Sequence, residues 1–232
     1  MKTTKTVLCG VVAALLGLAL VSCAGAPARA EGDVIAVVPS GEWFAMDDQG
    51  PPDLGSSTIE MTEVEIDGMT GFHLAGEVTT TFEWGFAGFG LHPDDATLEN
   101  LRATEAISFM VRGDGQRYSI QFQTTDVRDH GFFWVVFETE ADEAIRVSIP
   151  MNHFMQPGWA TPVGRLRQDR VTGLQWQTHE SGRPGPFELT IWDVRLYVPE
   201  GAAVIVAQAP AAVEAAPAAG YAYAYYGEYQ AY

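Results

Sequence analysis

Four glutamines at alternate positions are the residues of this chain best placed to act on a ligand. Gln121 and Gln123 lie in Arg117-Tyr118-Ser119-Ile120-Gln121-Phe122-Gln123, and Gln175 and Gln177 in Gly173-Leu174-Gln175-Trp176-Gln177-Thr178. A period of two puts each pair on one face of a strand, with Arg117 on the face of the first. An amide offers an acceptor and two donors in one plane, and a guanidinium offers a fork of donors. If the two strands share a sheet, their amides converge into a surface suited to the paired hydroxyls of a sugar. A sugar ring also needs an aromatic face. Trp134 could supply it, or could lie in the core, since Phe133, Val135 and Phe137 form the opposite parity. Trp159, in Gln156-Pro157-Gly158-Trp159, is a second platform or else a ring packed against an edge of the fold.

Catalytic patterns find little support. Asp47-Asp48, Asp94-Asp95 and Asp142-Glu143 are adjacent carboxylates, and adjacency does not create the separation across a substrate that glycoside hydrolysis needs. There is no Gly-x-Ser-x-Gly elbow and no His-Glu-x-x-His, and the five histidines are scattered through turns. No cofactor is expected, although Asp47, Asp48 and Asp53 could contribute oxygen ligands to a structural Ca²⁺. The glycine-rich run from Phe82 to Gly90 has no strand-loop-helix unit around it, which excludes a phosphate loop.

The elements that must position these residues read as short strands. Ile107, Phe109 and Val111 alternate with Ser108, Met110 and Arg112, and Tyr118, Ile120 and Phe122 alternate with Ser119, Gln121 and Gln123. Gly113-Asp114-Gly115 between the two runs predicts a hairpin. Further strands are expected at Ile59–Ile66, Phe72–Thr80, Phe132–Thr139, Ala144–Pro150, Val171–Thr178 and Phe187–Tyr197, with one short helix at Asp95–Ala103. The apolar Val34-Ile35-Ala36-Val37-Val38 reads as a first edge strand. In the last strand Phe187, Leu189 and Ile191 share one parity and Trp192, Val194 and Leu196 the other, which predicts a β-bulge near Trp192-Asp193. Many short strands at this spacing predict an all-β, antiparallel β-sandwich.

The order ISFMVRGDGQRYSIQFQT, IRVSIPMNHF and GPFELTIWDVRLY, with the upstream WFAMDDQGPPDLGSS, resembles two related groups. One is the complex I intermediate-associated protein family, the thirty-kilodalton one; the other is carbohydrate-binding module family eleven. The resemblance covers roughly Gly41 to Pro199 and implies a jelly roll of the galactose-binding type. It also implies a binding cleft on the concave sheet, or, in the first family, an assembly role through protein partners.

The ends differ from this middle. Lys2 and Lys5 precede an apolar run that closes in Leu20-Val21-Ser22-Cys23, which reads as a secretory signal with a lipobox. Cleavage before Cys23 would free its thiol for lipidation; ordinary cleavage after Ala28-Arg29-Ala30 is the alternative. The expected order is therefore a signal over 1–22, a tether over 23–40, the sandwich over 41–200 and an Ala/Pro/Tyr-rich tail over 201–232, too low in complexity to order. The formal charge is −17, and the signal holds both lysines, so every mature cation is Arg. Such a surface repels nucleic acid. These features predict an exported bacterial lipoprotein of the cell envelope, in the outer membrane or periplasm. It would bind glycan chains without catalysis and hold to a membrane through its lipid. An envelope assembly factor with a protein partner is the alternative, and a glycosidase a more distant one.

Overall fold

A computed structural model describes residues 34–48, 56–79, 85–179 and 184–199; the expected signal, Cys23 as the expected lipidation site, and the tail lie outside the described residues. The strands are β1 (Val34–Val37), β2 (Gly41–Asp47), β3 (Thr58–Ile66), β4 (Met69–Val78), β5 (Ala87–Pro93), β6 (Ala106–Gly113), β7 (Arg117–Thr124), β8 (Phe133–Glu138), β9 (Ala144–Pro150), β10 (Val171–Thr178) and β11 (Gly185–Pro199), with helix α1 (Asp95–Ala103) between β5 and β6. One sheet runs β3-β4-β11-β6-β9, with β1 added along the end of β11; the other runs β2-β5-β10-β7-β8. The strand pairings within both sheets are antiparallel, as the sequence predicts for a jelly-roll sandwich.

The core forms where the apolar parities of the two sheets meet. Phe89, Leu91, Ile120, Phe122, Leu174 and Trp176 come from one sheet, and Leu74, Ile107, Phe109, Val111, Ile191 and Leu196 from the other. Trp176 is fully buried at the centre, with ring centroids 5.1 Å from Phe89, 5.7 Å from Phe109 and 5.8 Å from Trp43. At one end, Asp94 caps α1 by accepting from Thr97 N (2.8 Å), and Ser40 donates to the same carboxylate (2.7 Å). Gln168 Nε2 donates to the Leu101 and Thr104 carbonyls at the other end of the helix.

One expectation fails. β6 and β7 do not pair as a hairpin: β6 lies between β11 and β9, and β7 between β10 and β8. Gly113-Asp114-Gly115 is instead a corner that carries the chain from one sheet to the other. Both flanking runs bury one parity in the same core, so local alternation cannot separate a hairpin from a corner. Asp114 fixes the turn by accepting from Gln116 N, the Tyr118 hydroxyl and Glu188 N.

The bulge in β11 is present. Register against β6 shifts between Trp192 and Arg195, and Asp193 takes a positive φ of 51°. The extra residue returns Val194 and Leu196 to the core after Ile191 and turns Trp192 outward, where the Arg112 guanidinium lies 6.0 Å from its ring centre. Asp193 sits between Arg146 and Arg195, the latter bond 2.6 Å long. Burial pushes its carboxyl up, but the bonds and charge of Arg195 and Arg146 outweigh this and hold it below the ordinary aspartate range. A carboxyl depressed by folding stabilises the fold above its ordinary pKa, and that contribution is lost as pH falls through the lowered value. Asp193→Asn is therefore expected to be less stable than wild type at pH 7. The gap should narrow as pH falls below about 4, read as urea midpoints across that range.

Candidate functional site

β7 and β10 are adjacent, so the two glutamine pairs meet. Gln121 and Gln175 are direct cross-strand partners. Gln123 Nε2 donates to Gln175 Oε1 (2.5 Å), and Gln175 Nε2 donates to Gln121 Oε1 (3.0 Å) and Gln177 Oε1 (3.2 Å). Gln121 Nε2 continues the chain to Ser119 Oγ (3.1 Å). These side chains share the outer face of the five-stranded sheet, because Ile120, Phe122, Leu174 and Trp176 fill the inner one.

The network divides the four amides into two kinds. Gln121 and Gln175 are only 5% and 6% exposed, and they spend their polarity on neighbours. Gln123 and Gln177 are half-buried, and they hold the open ends of the chain. Among the described residues, Gln177 Nε2 has no protein partner, while Gln123 Oε1 lies over Gly173, where a Cβ would stand 2.9 Å away. A donor at one end and an acceptor at the other are thus held in place by two buried amides.

Register extends this centre across the sheet. Phe44 on β2 pairs with Gly90 on β5, Gly90 with Gln175, Gln175 with Gln121, and Gln121 with Trp134 on β8. Trp134 therefore faces outward, which resolves its alternative placement. Its ring meets His179 edge-on at 4.9 Å. Phe44 lies over Gly90, where a Cβ would stand 2.5 Å from its ring, and stacks on His92 at 4.3 Å. Glycine keeps the β5 floor at backbone height, so the face has an aromatic group at either side and amides between. Sequence reasoning missed Phe44 and strands β2 and β5, yet Ala87, Phe89 and Leu91 do alternate with Gly88, Gly90 and His92.

The other expected residues are dispersed. Arg117 is exposed at the start of β7 and meets Glu138 at 3.7 Å, at the rim rather than the centre. Trp159 is 63% exposed in the loop after β9, not packed against an edge. Asp48 is buried, accepting from Ser57 N (3.1 Å) and from the Ser57 hydroxyl (2.5 Å), and Asp53 lies outside the described residues. Among the described residues, no three acidic, histidine or cysteine side chains converge as cation ligands, and the expected Ca²⁺ set includes Asp53, which is not one of those residues. A cavity of about 300 Å³ opens between the sheets beside Val38, Trp43, Phe72 and Ile191. Its walls are largely apolar side chains, and the nearby Asp193 carboxylate is already held by two arginines, so it lacks the convergent polar groups of the outer face.

This chain is similar to the solved family 11 carbohydrate-binding module from Clostridium thermocellum in complex with a β-1,3-1,4-mixed-linked tetrasaccharide, at 18% identity, covering 66% of this chain and 87% of that one with a TM-score of 0.47. It is also similar to the family 11 module of the cellulosomal cellulase Lic26A-Cel5E of Clostridium thermocellum, at 16% identity over 71% and 93% of the two chains, with a TM-score of 0.49. No curated protein matches it. Residues 39–191, which take in β2 through β10 and the whole amide network, match the family described as Complex I intermediate-associated protein 30, and the chain belongs to that family.

Proposed function

We propose that this protein is a non-catalytic, exported lipoprotein that binds a neutral glycan across the outer face of its five-stranded sheet. The observation that carries the reading is the row Phe44, Gly90, Gln175, Gln121 and Trp134, with Gln123 and Gln177 held at the open ends of its amide chain. The backbones of β2 and β8 stand about 19 Å apart, four strand spacings, which leaves room for several sugar rings. No charged side chain occurs in the row itself, and the chain is strongly acidic, so an acidic polysaccharide would be repelled. Binding through stacking and a few amide contacts falls in the millimolar to micromolar range, roughly −4 to −8 kcal/mol.

The charge distribution also supports the non-catalytic part. Glu42 and Glu138 are on the outer parity of β2 and β8, at opposite edges of the sheet. Their strands lie about 19 Å apart, well beyond the roughly 6.5–9.5 Å between the two carboxylates of an inverting glycosidase. Export and lipidation at Cys23 rest on the lipobox, and mass spectrometry of the membrane-extracted protein should show an acylated N-terminal cysteine.

Affinity electrophoresis of the chain lacking residues 1–22 tests the binding. Its negative charge drives rapid migration, so retardation in a gel of soluble xylan or β-glucan is the expected result. Free migration through every neutral polysaccharide would defeat the reading. Family membership favours a second reading, an envelope assembly factor, for which a stoichiometric protein partner should co-purify from membranes.

A further inference from the structure

We propose that the binding surface continues past the edge of the five-stranded sheet onto Met155 and Trp159, so that the ligand is an internal stretch of a long neutral polysaccharide and not a chain end. This rests on the glycan reading above. Met155 lies outside the named strands, yet it exchanges two backbone bonds with Trp134 (3.0 and 3.3 Å). An antiparallel pair of this kind puts both side chains on the same face. The row that begins at Phe44 thus gains a sixth position beyond β8, and Met155 is 67% exposed there. At this edge another apolar side chain extends the row.

Trp159 follows four residues later with 63% of its surface exposed, in a loop that is tightly held. Asp129 accepts from Gly131 N (3.1 Å) and Thr161 N (2.7 Å). Gln156 donates to the Gly131 and Thr161 carbonyls and accepts from Val163 N. Ala160 N donates to the Pro157 carbonyl (3.0 Å), closing a turn around Trp159. Ala160 sits where a Cβ on Gly131 would be, 2.2 Å from its own Cβ, which seats the loop against the start of β8. Tryptophan is highly buried on average, so an exposed one in a held loop stands out. Here the hydrogen bonds fix the loop while the ring stays in solvent, as a stacking platform requires.

The test is affinity against ligand length. The mature chain is titrated with xylo- and cello-oligosaccharides of three to eight units and with their parent polysaccharides. Affinity in wild type should rise about tenfold between four and eight units. Trp159→Ala should erase that rise and leave the tetrasaccharide unchanged, whereas Trp134→Ala should weaken every length. Iodide quenching should show a ring protected by the octasaccharide in wild type, with this added protection absent in Trp159→Ala. If Trp159→Ala matches wild type at every length, the extension is wrong and the sheet face stands. If it weakens all lengths equally, Trp159 belongs to the central site and the extension again fails. If wild type binds none of these sugars, the glycan reading falls and takes the extension with it. A melting curve matching wild type establishes that Trp159→Ala folds.

Discussion

Trp176→Ala is expected to lower the stability of the fold by about 3–5 kcal/mol, the range for removing a large buried aromatic. At roughly 2–4 °C per kcal/mol for a domain of this size, the melting temperature should fall by about 6–20 °C. Trp176 has no exposed surface and touches Trp43, Phe89 and Phe109, so both sheets lose contacts when it goes. It also lies between Gln175 and Gln177 on the same strand, and a core that collapses there shifts the amides on the other side. Trp176→Phe sharpens the test. The Trp176 indole N–H has no hydrogen-bond partner among the described residues, and a buried donor left unpaired costs about 1–3 kcal/mol. Phenylalanine removes that donor while keeping most of the ring, so its loss should be less than half that of alanine. Equal losses in urea titrations would show that the indole nitrogen is satisfied in solution.

Gln175→Ala is expected to abolish retardation in the polysaccharide gels and to cost stability as well. Gln175 accepts from Gln123 and donates to Gln121 and Gln177, so its removal releases three other amides. Each buried polar group left without a partner costs about 1–3 kcal/mol, and a loss of only 1.4 kcal/mol in binding is already tenfold in affinity. Gln123→Ala, at the half-buried end of the chain, should weaken binding with a much smaller effect on the urea midpoint. Wild-type retardation of Gln175→Ala would show that the amide chain does not hold the ligand-facing groups.

Most of the strands were legible in the sequence because alternation has a direct physical cause, the burial of one parity. Ala144–Pro150 and Val171–Thr178 fall where the pattern put them, and helix α1 follows its Asp94 cap. Partner choice was not legible. The run around Gly113-Asp114-Gly115 has the alternation of a hairpin, but which strand each half joins is set by contacts distant in sequence. β5 was missed because Gly88 and Gly90 occupy its outer parity, and glycine reads as turn although here it makes room for Phe44. In the candidate site, the two glutamine pairs were legible from parity, whereas Trp134 stood open between face and core until its register with Gln121 placed it. Their division into two buried amides and two accessible ones depends on register between strands, which no single segment encodes. Phe44 was missed with its strand, and the exposure of Trp159 follows from loop bonds to Asp129 and Gly131, nearly thirty residues earlier.

The attachment of β1 sets which contacts would bear a load from the N-terminal side first. Val34 pairs with Pro199 and Val37 with Leu196, so β1 is held by four antiparallel partners at the extreme end of β11. A pull on the chain ahead of Val34 would load these four pairs before it loaded β2 and the core. Peeling all four residues would release about 13 Å of slack at 3.3 Å per residue before the strain reached β2 and the core. The first yield under such tension would therefore be a short lengthening in one sheet, while the amide row sits in the other.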